Sequence, residues 1–444
     1  MVVTEARPET TDMARLSTSG LVCAALACLA TPAMAQTAIE ECAAQAASQY
    51  EPGFESIGRD MAAIDATVAV EVCERAHLEA PYSIVVKAWL ARAYLWAGQS
   101  DKAVPLLNVA AAGENVVALA LFGDKLIIGD GVEQDIPRGT QMLQLGANAG
   151  FAPAQNSLGL SYDIGEGVAE DDVQAARWYR AAAVQGLPRA ATNLGLMYQE
   201  GLGLDQDYVA AAAWFERAAE KGEAKAQYNL GRLHELGRIG PVDYAEAARL
   251  YRLAADGGDM FAQNDLGFLT EKGLGIQANP VAAADLYAQA AEQGSAVGQY
   301  NLAILYEDGR GVEQDYARAF ELYTQAANAG DKDAPVNLGL LYLEGRGTAQ
   351  DYTQALYWTK AAADQAHPVA LNNMGHIYQN GLGVDVDLAE ARRYYEQSAA
   401  LGYALAADNL AGLDAAPAAP AADDPPPGNL APLTAPYPPG KLDA

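Results

Sequence analysis

Five asparagines fall at one place in a repeated pattern: Asn193, Asn229, Asn301, Asn337 and Asn373, with Asn409 beyond them and Ser157 and Asp265 in the same column. A side-chain amide both donates and accepts a hydrogen bond, so a row of amides suits an extended peptide backbone running alongside. These five residues are the candidate partner-binding site. The alternative is that each Asn satisfies neighbouring backbone inside its own repeat, and a residue present in nearly every copy usually serves the repeat itself.

Other chemistry is missing. His77, His234, His367 and His376 are scattered without metal-ligand spacing. His234-Glu235 opens no H-E-x-x-H motif, because Arg238 fills the last place. No S-x-x-K sequence is present to set a nucleophilic Ser beside a Lys. Glycines such as Gly201 and Gly203 sit between two helical patterns rather than after a strand, so they are not a nucleotide fingerprint. The acidic stretch from Asp163 to Asp172 lacks the spacing of a calcium loop. The expectation is a chain that is not an enzyme, with no catalytic residue, no metal site and no cofactor.

The elements that must position the asparagines are pairs of helices. From Ala118 to Gly402 the sequence repeats every 36 residues, eight times, without an insertion or deletion. In the copy that starts at Ala154, the residues Ala154, Leu158, Gly159 and Tyr162 share one helical face. Gly165 and Gly167 interrupt that helix, and Asp171 can cap a second one. The cap recurs as Asp135, Asp207, Asp243, Asp315, Asp351 and Asp387, with Asn279 as the one substitute. The second helix buries Ala175, Trp178, Tyr179, Ala182 and Ala183, and ends at Gly186, whose place is taken by Ala366 in one copy. Small residues let the helices approach and large ones fill the gaps, so the aromatic columns read as core; ligand stacking on Trp178, Trp214 or Trp358 is the alternative. A period of this length predicts an all-α solenoid of stacked 36-residue helix pairs.

These residues resemble the Sel-one-like repeat (SLR) family, a relative of the tetratricopeptide repeats. Its pattern is A-x-x-x-L-G-x-x-Y-x-x-G-x-G-V, an Asp cap, then A-x-x-W-Y-x-x-A-A-x-x-G. Residues 154–186 match it nearly throughout. Departures are local: Ile239 at the second loop Gly, Ala303 at the first-helix Gly, His234 and Thr270 in the Tyr column. The resemblance implies a right-handed α/α superhelix that binds proteins. Exported bacterial members look like adaptors, regulators or polysaccharide-export scaffolds. Some cysteine-rich members are associated with β-lactam hydrolysis; this chain lacks their paired cysteines in each repeat, so that reading ranks last.

The flanks read differently. Leu21 to Pro32 is apolar, too short to span a bilayer, and followed by Ala33-Met34-Ala35, a signal-peptidase pattern. Residues 1–35 are therefore expected to be a signal peptide, starting at Met1 or Met13, with cleavage between Ala35 and Gln36. Residues 36–117 are expected to form a helical cap containing a tetratricopeptide-like pair. Residues 403–412 are expected to be a partial C-terminal cap, and 413–444 a disordered Ala/Pro-rich tail. Cys42 and Cys73 remain after cleavage and are expected to pair in an oxidising compartment. The expected location is the periplasm or outside the cell, without membrane insertion.

A formal charge of −29 argues against nucleic acid and against an anionic membrane surface. It favours a basic or extended protein partner. The function expected is an exported protein–protein adaptor or regulator; an envelope polysaccharide scaffold is the alternative.

Overall fold

The computed structural model describes residues 33–56 and 58–415, with side chains from residue 38 to residue 413. The apolar run at 21–32 and the tail beyond 415 lie outside the described residues. The expected cleavage point between Ala35 and Gln36 falls inside the helix Ala33–Ala46. Among the described residues there are 21 α-helices and no strand. The chain divides into two compact units between Trp214 and Phe215.

The first unit opens with the helices Ala33–Ala46 and Ala66–Glu79. Cys42 and Cys73 join them in a disulfide buried from solvent. The next pair is Ile84–Trp96 and Ser100–Ala112. Its Arg92 is buried and holds the segment after Ala46: Nη1 donates to Ala46 O at 2.9 Å and Ala47 O at 2.7 Å, and Nη2 to Arg59 O at 2.7 Å. Burial lowers the Arg92 pKa to about 10, against the pull of Glu51 and Asp60. Glu51 is itself buried and accepts from Trp89 Nε1 at 3.0 Å. Two repeats follow, Val116–Ile128 with Ile136–Asn148 and Ala152–Ile164 with Asp172–Ala183. Tyr50 OH reaches Gly186 O, 136 residues on, at 3.3 Å.

The second unit contains five pairs of the same kind. They begin with Ala224–Glu235 and Tyr244–Asp256, and end with Pro368–Asn380 and Leu388–Ala400. A last single helix, Ala404–Ala415, runs past Gly412, where the sequence suggested a stop. Gly412 has open space around it, so the helix passes through without a steric demand.

One device ends the first helix and starts the second in each repeat. In the sixth repeat the Asp315 carboxylate accepts from Ala317 N and Arg318 N, both at 3.0 Å. Its own N–H donates to Tyr306 O at 2.9 Å, which closes the loop. Asn279 does the same work through Ala282 N and Thr270 O. The loop then lies on the preceding repeat: a Cβ at Gly311 would sit 2.2 Å from Pro280 O. Only glycine permits that approach.

The turn after the second helix needs a left-handed residue. Seven repeats use Gly there, with φ between 84° and 92°, whereas Ala366 takes φ 58°. An L-residue pays about 1 kcal/mol or more for that conformation. Replacing Ala366 with Gly is therefore expected to stabilise the chain by roughly 1 kcal/mol. A urea melt checks it, and an unmoved or lowered midpoint would contradict the strain argument.

Candidate functional site

Within each unit the first helices of successive repeats lie side by side and form a wall. Direct hydrogen bonds tie neighbours together at a separation of 37 residues: Asn193 Nδ2 to Asn156 Oδ1 at 3.3 Å, Asn301 Nδ2 to Asn264 Oδ1 at 2.9 Å, and Asn409 Nδ2 to Asn372 Oδ1 at 2.8 Å. The Asn column thus sits at the seam between first helices. Asn229, Asn301, Asn337 and Asn373 are buried, whereas Asn193 is partly open. Asn229 Nδ2 donates to Lys225 O at 2.7 Å and Asn337 Nδ2 to Tyr323 OH at 2.9 Å. Asn373 Oδ1 accepts from Asn372 Nδ2 at 3.3 Å. These amides spend hydrogen bonds inside the solenoid, which is what burial requires of them.

Behind the wall stands a second column. Tyr179, Tyr251, Tyr287, Tyr323 and Tyr395 are fully buried. Each hydroxyl donates to a residue 16 positions earlier, near the end of the first helix: Asp163 at 3.0 Å, Glu235 at 2.6 Å, Glu271 at 3.1 Å, Glu307 at 2.7 Å and Gln379 at 2.7 Å. Burial, helped by the carboxylate beside it, holds the Tyr251, Tyr287 and Tyr323 hydroxyls far above the ordinary tyrosine pKa. Burial also raises Glu235 and Glu307, although the tyrosine hydroxyls pull them back. Glu271 is nearly enclosed and is paired with Lys272 at 2.9 Å and with Arg310 of the next repeat.

The rings explain the first-helix glycine. A Cβ at Gly159, Gly231 or Gly267 would stand 2.8 Å from the Tyr179, Tyr251 or Tyr287 ring, and one at Gly375 would stand 2.6 Å from Tyr395. The tyrosine lies directly on backbone. The Trp column behaves differently: Trp178 and Trp358 are only half-buried, with Arg177 over the Trp178 ring and Tyr357 edge-on to Trp358. The expectation of one aromatic core holds for the Tyr column and is only half met by the Trp column.

Apolar side chains also reach solvent from first helices. Leu160 is 45% exposed and Phe261 is 38% exposed. Phe261 packs near Tyr228, with ring centroids 6.0 Å apart, and Arg232 lies over the same Tyr228 ring. Among the described residues no group of three or more His, Cys, Asp or Glu is arranged to hold a metal ion. Among them also, no helix is long and apolar enough to cross a membrane.

The pairing of Tyr with an acid emerges from the structure, yet its signal lies in the sequence. In the seventh repeat Thr359 stands in the Tyr column and Leu343 in the acid column, so both ends of the bond change together. Asp265, charged among neutral asparagines, marks a different bond, to Tyr228 OH.

Comparison with known proteins gives the same architecture. The model of the Sel1 repeat matches residues 126–151, 152–187, 188–223, 224–259, 261–295, 296–331, 333–367 and 368–403. A solved structure of a protective antigen of uropathogenic Escherichia coli, c5321, described as displaying an SLR fold, is 28% identical. The match covers 86% of this chain and 87% of that one, with a TM-score of 0.53. A Sel1 repeat protein from Oxalobacter formigenes is 31% identical over 70% of this chain and 90% of its own, with a TM-score of 0.51. No curated protein matches the chain.

The seam predicts a cost for breaking it. Asn301→Ala leaves Asn264 Oδ1 without its 2.9 Å donor in a buried place. The variant is expected to lose about 1–3 kcal/mol of stability. Chemical denaturation checks this, and a loss near zero would mean the seam bond contributes nothing net.

Proposed function

The chain belongs to the Sel1 repeat family, and we propose that it is an exported adaptor or regulator that grips a protein partner along the wall of first helices. Solenoids of this type generally mediate protein–protein contact and are generally scaffolds without catalysis. The observation that carries the reading is the seam of first helices tied by Asn301–Asn264 and Asn409–Asn372. Helices in such register offer one long surface instead of separate patches.

The partner is a basic or extended segment. The charge of −29 favours it by attraction across the interface and disfavours acidic competitors. The Asn column has its first role in fixing the register of the wall; Asn193, the partly open member, is the one placed to touch a partner directly. Leu160, in the same unit as Asn193, supplies an apolar anchor. Export rests on the apolar run before Ala33-Met34-Ala35 and on the buried Cys42–Cys73 disulfide, a bond that persists in oxidising compartments.

A photo-crosslinker placed at Leu160 in intact cells is expected to capture the partner protein. A crosslinker at Val173, exposed on a second helix, is expected to capture none of it. Equal capture from Val173 would remove the wall from the proposal. Affinity for the captured partner is expected to fall by roughly tenfold between low and high salt; a constant or rising affinity would contradict the electrostatic part. Mass spectrometry of the exported chain is expected to find Gln36 at its N-terminus.

A further inference from the structure

The fourth and fifth repeats enclose two carboxyl groups beside a single guanidinium. Asp265 is 3% exposed and Glu235 is 8% exposed. Asp265 Oδ2 accepts from Tyr228 OH at 3.1 Å, and Oδ1 from Asn264 Nδ2 at 3.0 Å. Glu235 accepts from Tyr251 OH at 2.6 Å. The Tyr228 and Tyr251 rings lie 5.6 Å apart, so the two acids share one aromatic partition. The groups that face Asp265 are few. Tyr228, Arg232 and Glu235 come from the helix Ala224–Glu235, and Tyr251 from Tyr244–Asp256. Tyr287 comes from Pro280–Glu292, and Asn301 of Ala296–Asp308 donates to Asn264, which in turn donates to Asp265. Arg232 is the one cation that acts on both Asp265 and Glu235.

Two other acids of this unit are matched differently. Glu271 has Lys272 and Arg310, and Glu307 has Arg346 near it. The column that holds Asp265 carries neutral Asn at the equivalent places, Asn229 and Asn301. A neutral amide of the same shape fits that seam, and the protonated acid is the carboxyl form that matches its charge.

We propose that Asp265 and Glu235 form a proton-holding pair at the junction of the fourth and fifth repeats, and that loss of the proton loosens this junction. With the proton present, the pair carries one negative charge against Arg232. Without it, two buried anions face one cation, and the repulsion acts across the seam between the first helices. Burial, with Glu235 adding to it, raises Asp265 from 3.8 to about 7. A folded chain that keeps a proton the unfolded chain has shed is most stable below the unfolded value. That stability is lost as pH climbs through the folded value. The window is therefore about pH 4 to pH 7.

The test compares the full chain with Asp265→Asn and Glu235→Gln. Chemical denaturation is run from pH 5 to pH 8, with native-state hydrogen exchange read on Ala224–Glu235 and Met260–Lys272. The unfolding constant of the wild type relative to either variant is expected to rise by up to about tenfold per pH unit until the folded value is reached. Excess exchange with rising pH is expected in these two helices and not in Pro368–Asn380. Asp265→Asn is expected to flatten the dependence, and Glu235→Gln to shift it to lower pH, because the burial of Asp265 remains when its neighbour is neutral. A wild-type to variant ratio that is the same at pH 5 and pH 8 would overturn the proposal. A pH dependence left intact by Asp265→Asn, or unmoved by Glu235→Gln, would overturn it as well. None of these readings needs the protein partner, so their failure is distinct from failure of the adaptor function.

Discussion

The contact on which the solenoid depends is a tyrosine ring laid on a glycine backbone. Tyr251 on Gly231 and Tyr287 on Gly267 bring the second helix of a repeat against the first with no side chain between them. The ring supplies apolar area, and its hydroxyl must then be satisfied inside the protein. The acid 16 residues earlier does that, at the end of the first helix. One residue therefore fixes both the distance between the helices and their relative position along the axis.

That constraint explains how the wall forms. Once the second helices are seated, the first helices of successive repeats are close enough for asparagine to bridge them. The loops complete the stack, since Gly311 rests against Pro280 O of the previous repeat. A single helix pair would expose its tyrosine column and leave its seam amides to water. Stacking removes both costs, and this makes the fold a sum of neighbour contacts rather than one central core. The ends need other means. At the N-terminal end a disulfide joins the two leading helices to each other, and the buried Arg92 ties the segment between them to the first regular pair.

The site was partly legible before the structure. The Asn column and the Asp caps follow from spacing and residue type, and the pairing of Cys42 with Cys73 from the expected export to an oxidising compartment. The environment of each asparagine did not. A helical wheel places Asn301 at the edge of the buried stripe, but its exposure depends on how near the next repeat lies. The neighbour lies close enough to bury it completely. The same holds for Asp265, whose charge is plain in the sequence and whose enclosure by Tyr228 and Asn264 is not.

The sequence by itself determined the period, the order of helix and loop, the capping residues and the all-α class, because these depend on local spacing and on backbone rules that act within a few residues. Only the tertiary structure decided which polar groups meet: Tyr323 with Glu307, Asn409 with Asn372, two carboxyls with one arginine. Those pairings join residues 16 to 37 positions apart. Their distances are set by the packing of whole helices, a quantity that no local pattern contains.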